Sequence, residues 1–209
     1  MMVLAIDTCG AMGSIALGRV TEKGTGSILA ETTLAGKTYS AQFVPEVSAM
    51  LTGKSVSVHD LEAIAVVNGP GSFTGVRIGV SSAKGLSEAL GIPLLAVSRL
   101  AVLAWKGGVE ASALDASRGE FYIRENSREI LLAAKDIPLP RPGAVAVCEE
   151  IARRVIPGAV LVEPPTAADA LKFAVPQLLS GDFVDVAALD GNYVRRSDAE
   201  LFTKAAERV

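Results

Sequence analysis

Histidine is almost missing from these 209 residues, with His59 the only one. Zinc or iron centres built on paired histidines therefore cannot form, and a histidine base would have to be His59 alone. No His-Glu-x-x-His or Cys-x-x-Cys pattern occurs, and there is no G-x-S-x-G nucleophile elbow. Metallohydrolase and serine-hydrolase chemistry are excluded, and with them a peptidase reading. Cysteine is scarce as well: Cys9 and Cys148 give neither a disulfide framework nor a Cys-based metal site, so no metal is expected. Basic charge is not in excess, since 20 Lys and Arg stand against 23 Asp and Glu. The basic pairs Arg153–Arg154 and Arg195–Arg196 read as solvated surface, which argues against tight nucleic-acid binding by this chain alone. No apolar run approaches the ~18 residues of a membrane helix. Met1 to Asp7 carries no basic segment of the signal-peptide kind, so the expected address is the cytoplasm, without membrane contact.

What is present is an ordinary globular composition, half of it apolar. The length suits one large domain or two small ones. Apolar runs predict strands at residues 3–6, 14–18 and 28–34, the last closed by Gly36. Phe43, Val47, Met50 and Leu51 recur at helical spacing and predict a helix that stops at Gly53. A buried strand is expected at 63–67, a helix from Phe73 or Thr74 to Leu90 ending at Gly91, and a strand at 94–97. Ser98 is placed to cap a short helix through Trp105. Gly107-Gly108 is the best boundary, dividing the chain into lobes 1–106 and 107–209. Residues 137–143 read as a Pro-rich loop and 167–179 as a helix that Pro176 should kink or break. The tail from Gly191 is polar, with a short helix expected near Leu201.

The opening pattern recurs after the boundary. Leu4-Ala5-Ile6-Asp7-Thr8 with Gly10 and Gly13 is matched by Ala113-Leu114-Asp115-Ala116-Ser117 with Gly119. Each is a strand, an acid, a small turn and a second strand, which suggests a duplicated α/β unit. Such a turn can hold a phosphate on its backbone N–H groups, with the Asp reaching a magnesium ion through water. It can equally serve only to cap a strand end. The second copy fits phosphate binding poorly, because Arg118 sits where a small residue is needed. Asp7, Thr8, Gly10, Gly69, Gly71 and Ser72 are the candidate nucleotide-binding residues.

The loop Asn68-Gly69-Pro70-Gly71-Ser72-Phe73-Thr74-Gly75-Val76-Arg77 is the most informative stretch. It is neither a Walker A loop nor a dinucleotide fingerprint, since no Lys-Ser or Lys-Thr follows and the glycine spacing is wrong. In the helix beyond it Gly75, Gly79, Ala83 and Ser87 repeat every four residues and leave one face nearly bare. Glycine inside a helix costs up to ~1 kcal/mol relative to alanine, so a close contact should compensate. That contact is either the protein's own sheet or a partner's helix.

These residues resemble a known family. The loop from Asn68 to Gly79 is similar to the signature of the TsaB (YeaZ-like) family, which serves tRNA threonylcarbamoyladenosine biosynthesis. Residues 4–8 and 114–122 resemble it in matching order, as does Tyr193-Val194-Arg195 at the tail. The resemblance implies a two-lobed α/β fold of the actin-like ATPase (ribonuclease H-like) kind with a reduced second lobe. It implies a non-catalytic subunit that pairs with a TsaD-like catalytic subunit, with a TsaE-like ATPase as third partner. Transfer of threonylcarbamoyl to the adenosine beside the tRNA anticodon would belong to the catalytic subunit, and tRNA would meet this chain only through the complex. No cofactor is required, although ATP or ADP could sit at a subunit interface. The partner face is expected on the two helices of the first lobe, at Phe43, Val47, Met50, Leu51, Gly75, Val76, Gly79, Val80 and Ala83, and a homodimer is expected when the partner is absent. Tyr39-Ser40 stands where the family often has His-Ser. The alternative is an active ATP-dependent small-molecule kinase of the same fold.

Overall fold

The computed structural model describes residues 1–35, 39–139, 141 and 143–194. Gly36, Arg195, Arg196 and the helix expected near Leu201 lie outside these, as do Pro140 and Pro142 of the Pro-rich loop. The chain opens with a meander of β1 (Met2–Asp7), β2 (Gly13–Val20) and β3 (Gly26–Leu34). There follow α1 (Tyr39–Gly53), β4 (Ala63–Val67), α2 (Phe73–Leu90), β5 (Leu94–Val97) and α3 (Arg99–Lys106). β4 and β5 add in parallel beside β1, giving the order β3-β2-β1-β4-β5. Every residue of β1 and β4 is buried, as near-continuous apolar strands in a parallel centre must be.

A second sheet follows from β6 (Ala111–Asp115), β7 (Glu120–Glu125), β8 (Arg128–Ala133), β9 (Val145–Val147) and β10 (Val160–Leu161). Its order is β10-β9-β6-β7-β8. Counted from the start of each half, the arrangement is the same: the third, second, first, fourth and fifth strands lie side by side. This is a duplicated actin-like (ribonuclease H-like) α/β fold. The second copy is reduced. Among the described residues a 3-10 turn, Ala134–Asp136, stands where the first half has α1, and α4 (Glu150–Val155) has 6 residues against the 18 of α2.

Each half lends its last helix to the other's sheet. α3 packs on β6, β7 and β9, where Leu100 and Leu103 join Leu114, Tyr122 and Ala146. The final helix α5 (Ala167–Ser180) lies across all five strands of the first sheet and also touches α3. Its N-terminal N–H groups are received by that sheet: Ala167 donates to Ser14 Oγ at 2.7 Å and Ala168 to Glu31 Oε1 at 3.2 Å. The expected break at Pro176 does not occur, and the helix runs on to a left-handed Gly181. Losing one helical hydrogen bond is outweighed by burying Leu171, Ala174, Val175 and Leu178 in the main core.

Candidate functional site

The signature loop bridges β4 and α2, and it lies directly against the turn after β1. Ser72 N donates to Cys9 O at 2.8 Å, Thr8 Oγ1 to Gly75 O at 2.6 Å, and Cys9 Sγ to Val67 O at 3.2 Å. A side chain at Gly71 would run into the Cys9 carbonyl, and one at Gly75 into that of Thr8. These glycines are therefore needed for backbone to meet backbone inside the chain. Gly69 has φ 114°, a conformation that favours glycine, and its peptide to Pro70 is cis. Its carbonyl accepts from Arg99 N at 2.7 Å, while the Asn68 carbonyl accepts from Asn192 N at the same distance. Ser72 Oγ caps α2 by accepting from Gly75 N at 3.3 Å. Thr74 is exposed at the start of that helix.

Asp7, the acid of the first turn, is 2% exposed. Its Oδ1 accepts from Cys9 N at 2.8 Å, and Asp115 Oδ1 accepts from Ser117 N at 2.8 Å in the second turn. Both acids thus cap the end of a strand. In the second turn Ser117, Arg118 and Gly119 all have positive φ. The other oxygen of Asp7 faces Arg99 Nε at 3.6 Å, too far for a hydrogen bond. Among the described residues that nitrogen is buried without a hydrogen-bond partner. Burial works against the Arg99 charge, but Asp7 first, and then Cys9, Cys148 and Glu149, hold the guanidinium above its ordinary value. The space beside Gly10 is filled by the same guanidinium, whose Nη2 would lie 2.5 Å from a Cβ there. Tyr39 closes the turn, its hydroxyl donating to Gly10 O at 3.0 Å and Ala11 O at 3.2 Å. Burial raises the Tyr39 hydroxyl and the Cys9 thiol, and Asp7 adds to both.

Asp7, Thr8, Gly10, Gly69, Gly71 and Ser72, the candidate nucleotide-binding residues, are brought together around the turn after β1. In this chain they fasten the loop to the turn, and the Arg99 guanidinium lies beside both Asp7 and Gly10. Among the described residues no group of three or more His, Cys, Asp or Glu could hold a metal ion, and no helix is long and apolar enough to cross a membrane.

The profile of the family described as "TsaD: tRNA N6-adenosine threonylcarbamoyltransferase" matches residues 28–187. The chain belongs to this family, in its TsaB (YeaZ-like) group. It is 41% identical over 127 residues to "tRNA threonylcarbamoyladenosine biosynthesis protein TsaB" of Bacillus subtilis (strain 168), covering 58% of this chain and 53% of that protein. The Escherichia coli (strain K12) protein of the same name is 37% identical over 135 residues, 62% of this chain and 56% of that one. The chain thus spans about half the length of these curated relatives. Among solved structures, "YeaZ from Pseudomonas aeruginosa" superposes with a TM-score of 0.76 at 27% identity, over 92% of this chain and 99% of that one.

In this TsaB-family chain the residues expected to meet a partner are spent on its own core. Phe43, Val47, Met50, Leu51, Gly75, Val76, Gly79, Val80 and Ala83 are all buried within the chain. The bare stripe of α2 is explained by Thr8 and Ile6, which a Cβ at Gly79 would meet. What α1 and α2 leave outside is a different set: Val44 is 67% exposed and Phe73 42%. Arg77 lies over the Phe73 ring, 4.0 Å from its centroid, and Tyr193 packs on the same ring at 5.1 Å between centroids. The loop and tail signatures therefore meet in space. Arg99, Glu129 and Asn192 are site residues that the sequence did not disclose. The one available signal is a lone charge opening the apolar helix Arg99-Leu100-Ala101-Val102-Leu103.

Proposed function

We propose that this chain is a non-catalytic partner subunit in tRNA threonylcarbamoyladenosine synthesis. It pairs with a TsaD-like catalytic subunit through the outer faces of α1 and α2, and it meets tRNA only through that complex. A TsaE-like ATPase is the third component. Any ATP or ADP is held at a subunit interface, outside the Asp7 turn. Without its partner the chain covers the same helices by forming a homodimer, because an apolar outer face does not stay exposed. The pairing of Asp7 with buried Arg99 carries the non-catalytic part of this reading. A kinase of this fold needs that carboxylate free for magnesium and needs the Gly10 turn open, and both are occupied. The names of the B. subtilis and E. coli relatives support the pathway.

Light scattering on the purified chain, alone and mixed with the TsaD-like subunit of the same organism, tests the reading. The expected result is a homodimer that exchanges into a heterodimer. A monomer that ignores the catalytic subunit would overturn it, and magnesium-dependent ATP turnover by the chain alone would revive the kinase.

A further inference from the structure

Glu129 lies on β8, the edge strand of the second sheet, yet its carboxylate serves three parts of the chain. Oε1 accepts from Ser98 Oγ and from Arg124 Nη1 at 3.0 Å, and Oε2 accepts from Asn192 Nδ2 at 2.6 Å. Arg124 is a local partner, directly opposite on β7. Ser98 and Asn192 are not local. Ser98 caps α3, and the next residue, Arg99, donates its backbone N–H to Gly69 O at 2.7 Å. Asn192 donates its backbone N–H to Asn68 O at 2.7 Å, and its own carbonyl closes on Gly69. One carboxylate, with its side chain 11% exposed, thus grips both segments that flank the left-handed turn of the signature loop.

The second segment is the end of a longer strap. After α5 the chain returns across the first lobe, where Val184 N donates to Leu94 O at 2.9 Å. Lys84 Nζ donates to the carbonyls of Ala187 at 3.1 Å and Leu189 at 3.0 Å. Phe183, Val184, Val186 and Leu189 pack on the main core, and Tyr193 finishes the run against Phe73. A partly buried carboxylate satisfied by a guanidinium, a hydroxyl and an amide is a strong, directional anchor.

We infer that Glu129 is a positioning residue, through which the second sheet locks the strap and the signature loop and so sets how Phe73 and Tyr193 are presented at the head of α2. The strap is a property of this chain alone. Only its consequence for partner docking rests on the function proposed above.

Amide hydrogen exchange on the full chain tests it, with Glu129→Ala, Glu129→Gln and Arg124→Ala compared with the native sequence. In Glu129→Ala the Asn192 and Arg99 amides exchange at least ~tenfold faster, while the β7–β8 ladder keeps its protection. Glu129→Gln keeps an acceptor oxygen and recovers part of that protection, and Arg124→Ala leaves the strap as it was. Unchanged protection at Asn192 and Arg99 in Glu129→Ala would overturn the inference. So would a uniform loss across the second sheet, which is what a plain edge-strand role predicts. The mixing experiment is read separately. If the native chain fails to pair with the TsaD-like subunit, the partner reading falls while the exchange data still decide the strap. If it pairs, and Glu129→Ala with a loosened strap pairs equally well, the docking consequence is refuted.

Discussion

Arg99 Nε stands 3.6 Å from Asp7 Oδ2, and neither residue is more than 7% exposed. Asp7 ends β1 of the first sheet, whereas Arg99 opens α3, which packs on the second. The pair therefore ties the two halves together at the turn that follows β1. The cation that neutralises the acid is built into the chain.

Breaking one side of this pair leaves an uncompensated charge in a dry site, which costs about 3–5 kcal/mol. Arg99→Met is expected to lower stability by that order in urea unfolding, with little change in the slope. Adding Asp7→Asn should recover most of the loss, since a neutral replacement of both partners is often tolerated. A double variant whose effect is the plain sum of the singles would show that the two charges do not interact.

The first half was legible because its elements are long and cleanly punctuated. Residues 63–67 and 94–97 were readable as strands from unbroken apolar runs, and Ser72, Ser98 and Gly91 mark helix ends as their caps require. The second half was legible only in its opening strand, acid, turn and strand and in the helix expected at 167–179. β9 and β10 hold 3 and 2 residues, too few for any periodicity to register. β8 follows a turn of Asn126 and Ser127, both with positive φ, but Ser127 does not advertise a hairpin as glycine would. At the site, the stripe from Gly75 to Ser87 announced a close approach without saying whose backbone approaches. Glu129 and Asn192 are 63 positions apart, and no local pattern joins them.

The owner of that stripe can be tested on α2 itself. Gly75→Ala drives a methyl into the Thr8 carbonyl and is expected to destabilise by about 1–3 kcal/mol. Gly85, on the same helix, is exposed and has nothing within 4 Å of its would-be Cβ. Gly85→Ala should therefore stabilise by up to ~1 kcal/mol through helix propensity. Equal thermal shifts in the two variants would show that α2 is not pressed against the Thr8 turn.

Cys148 and Glu149 lie near Arg99 and give the fold a pH signature. Burial, and then Glu149, push the Cys148 thiol up from 9.0 to about 12. An unfolded chain loses this proton near 9 and the folded one near 12. Stability from this group is therefore complete below pH 9 and is lost as pH rises from 9 towards 12. At pH 9 only about a thousandth of the folded thiol is thiolate, so alkylation at Cys148 should be slow. Glu149→Gln removes the second cause and should bring the reactive pH down partway. Site-resolved alkylation with the same midpoint in both proteins would remove Glu149 from the account.

The outer face of α1 separates assembly from folding. Val44 is 67% exposed, so Val44→Glu should change stability by no more than ~0.5 kcal/mol. A charge placed within a partner contact costs roughly 2 kcal/mol or more, which is about 30-fold in affinity. Val80 is 6% exposed and belongs to the main core. Val80→Glu is therefore expected to unfold the chain, whatever its partners do. Light scattering with circular dichroism distinguishes the two variants. A folded Val44→Glu chain that still dimerises and still exchanges with the TsaD-like subunit would move the partner face away from α1.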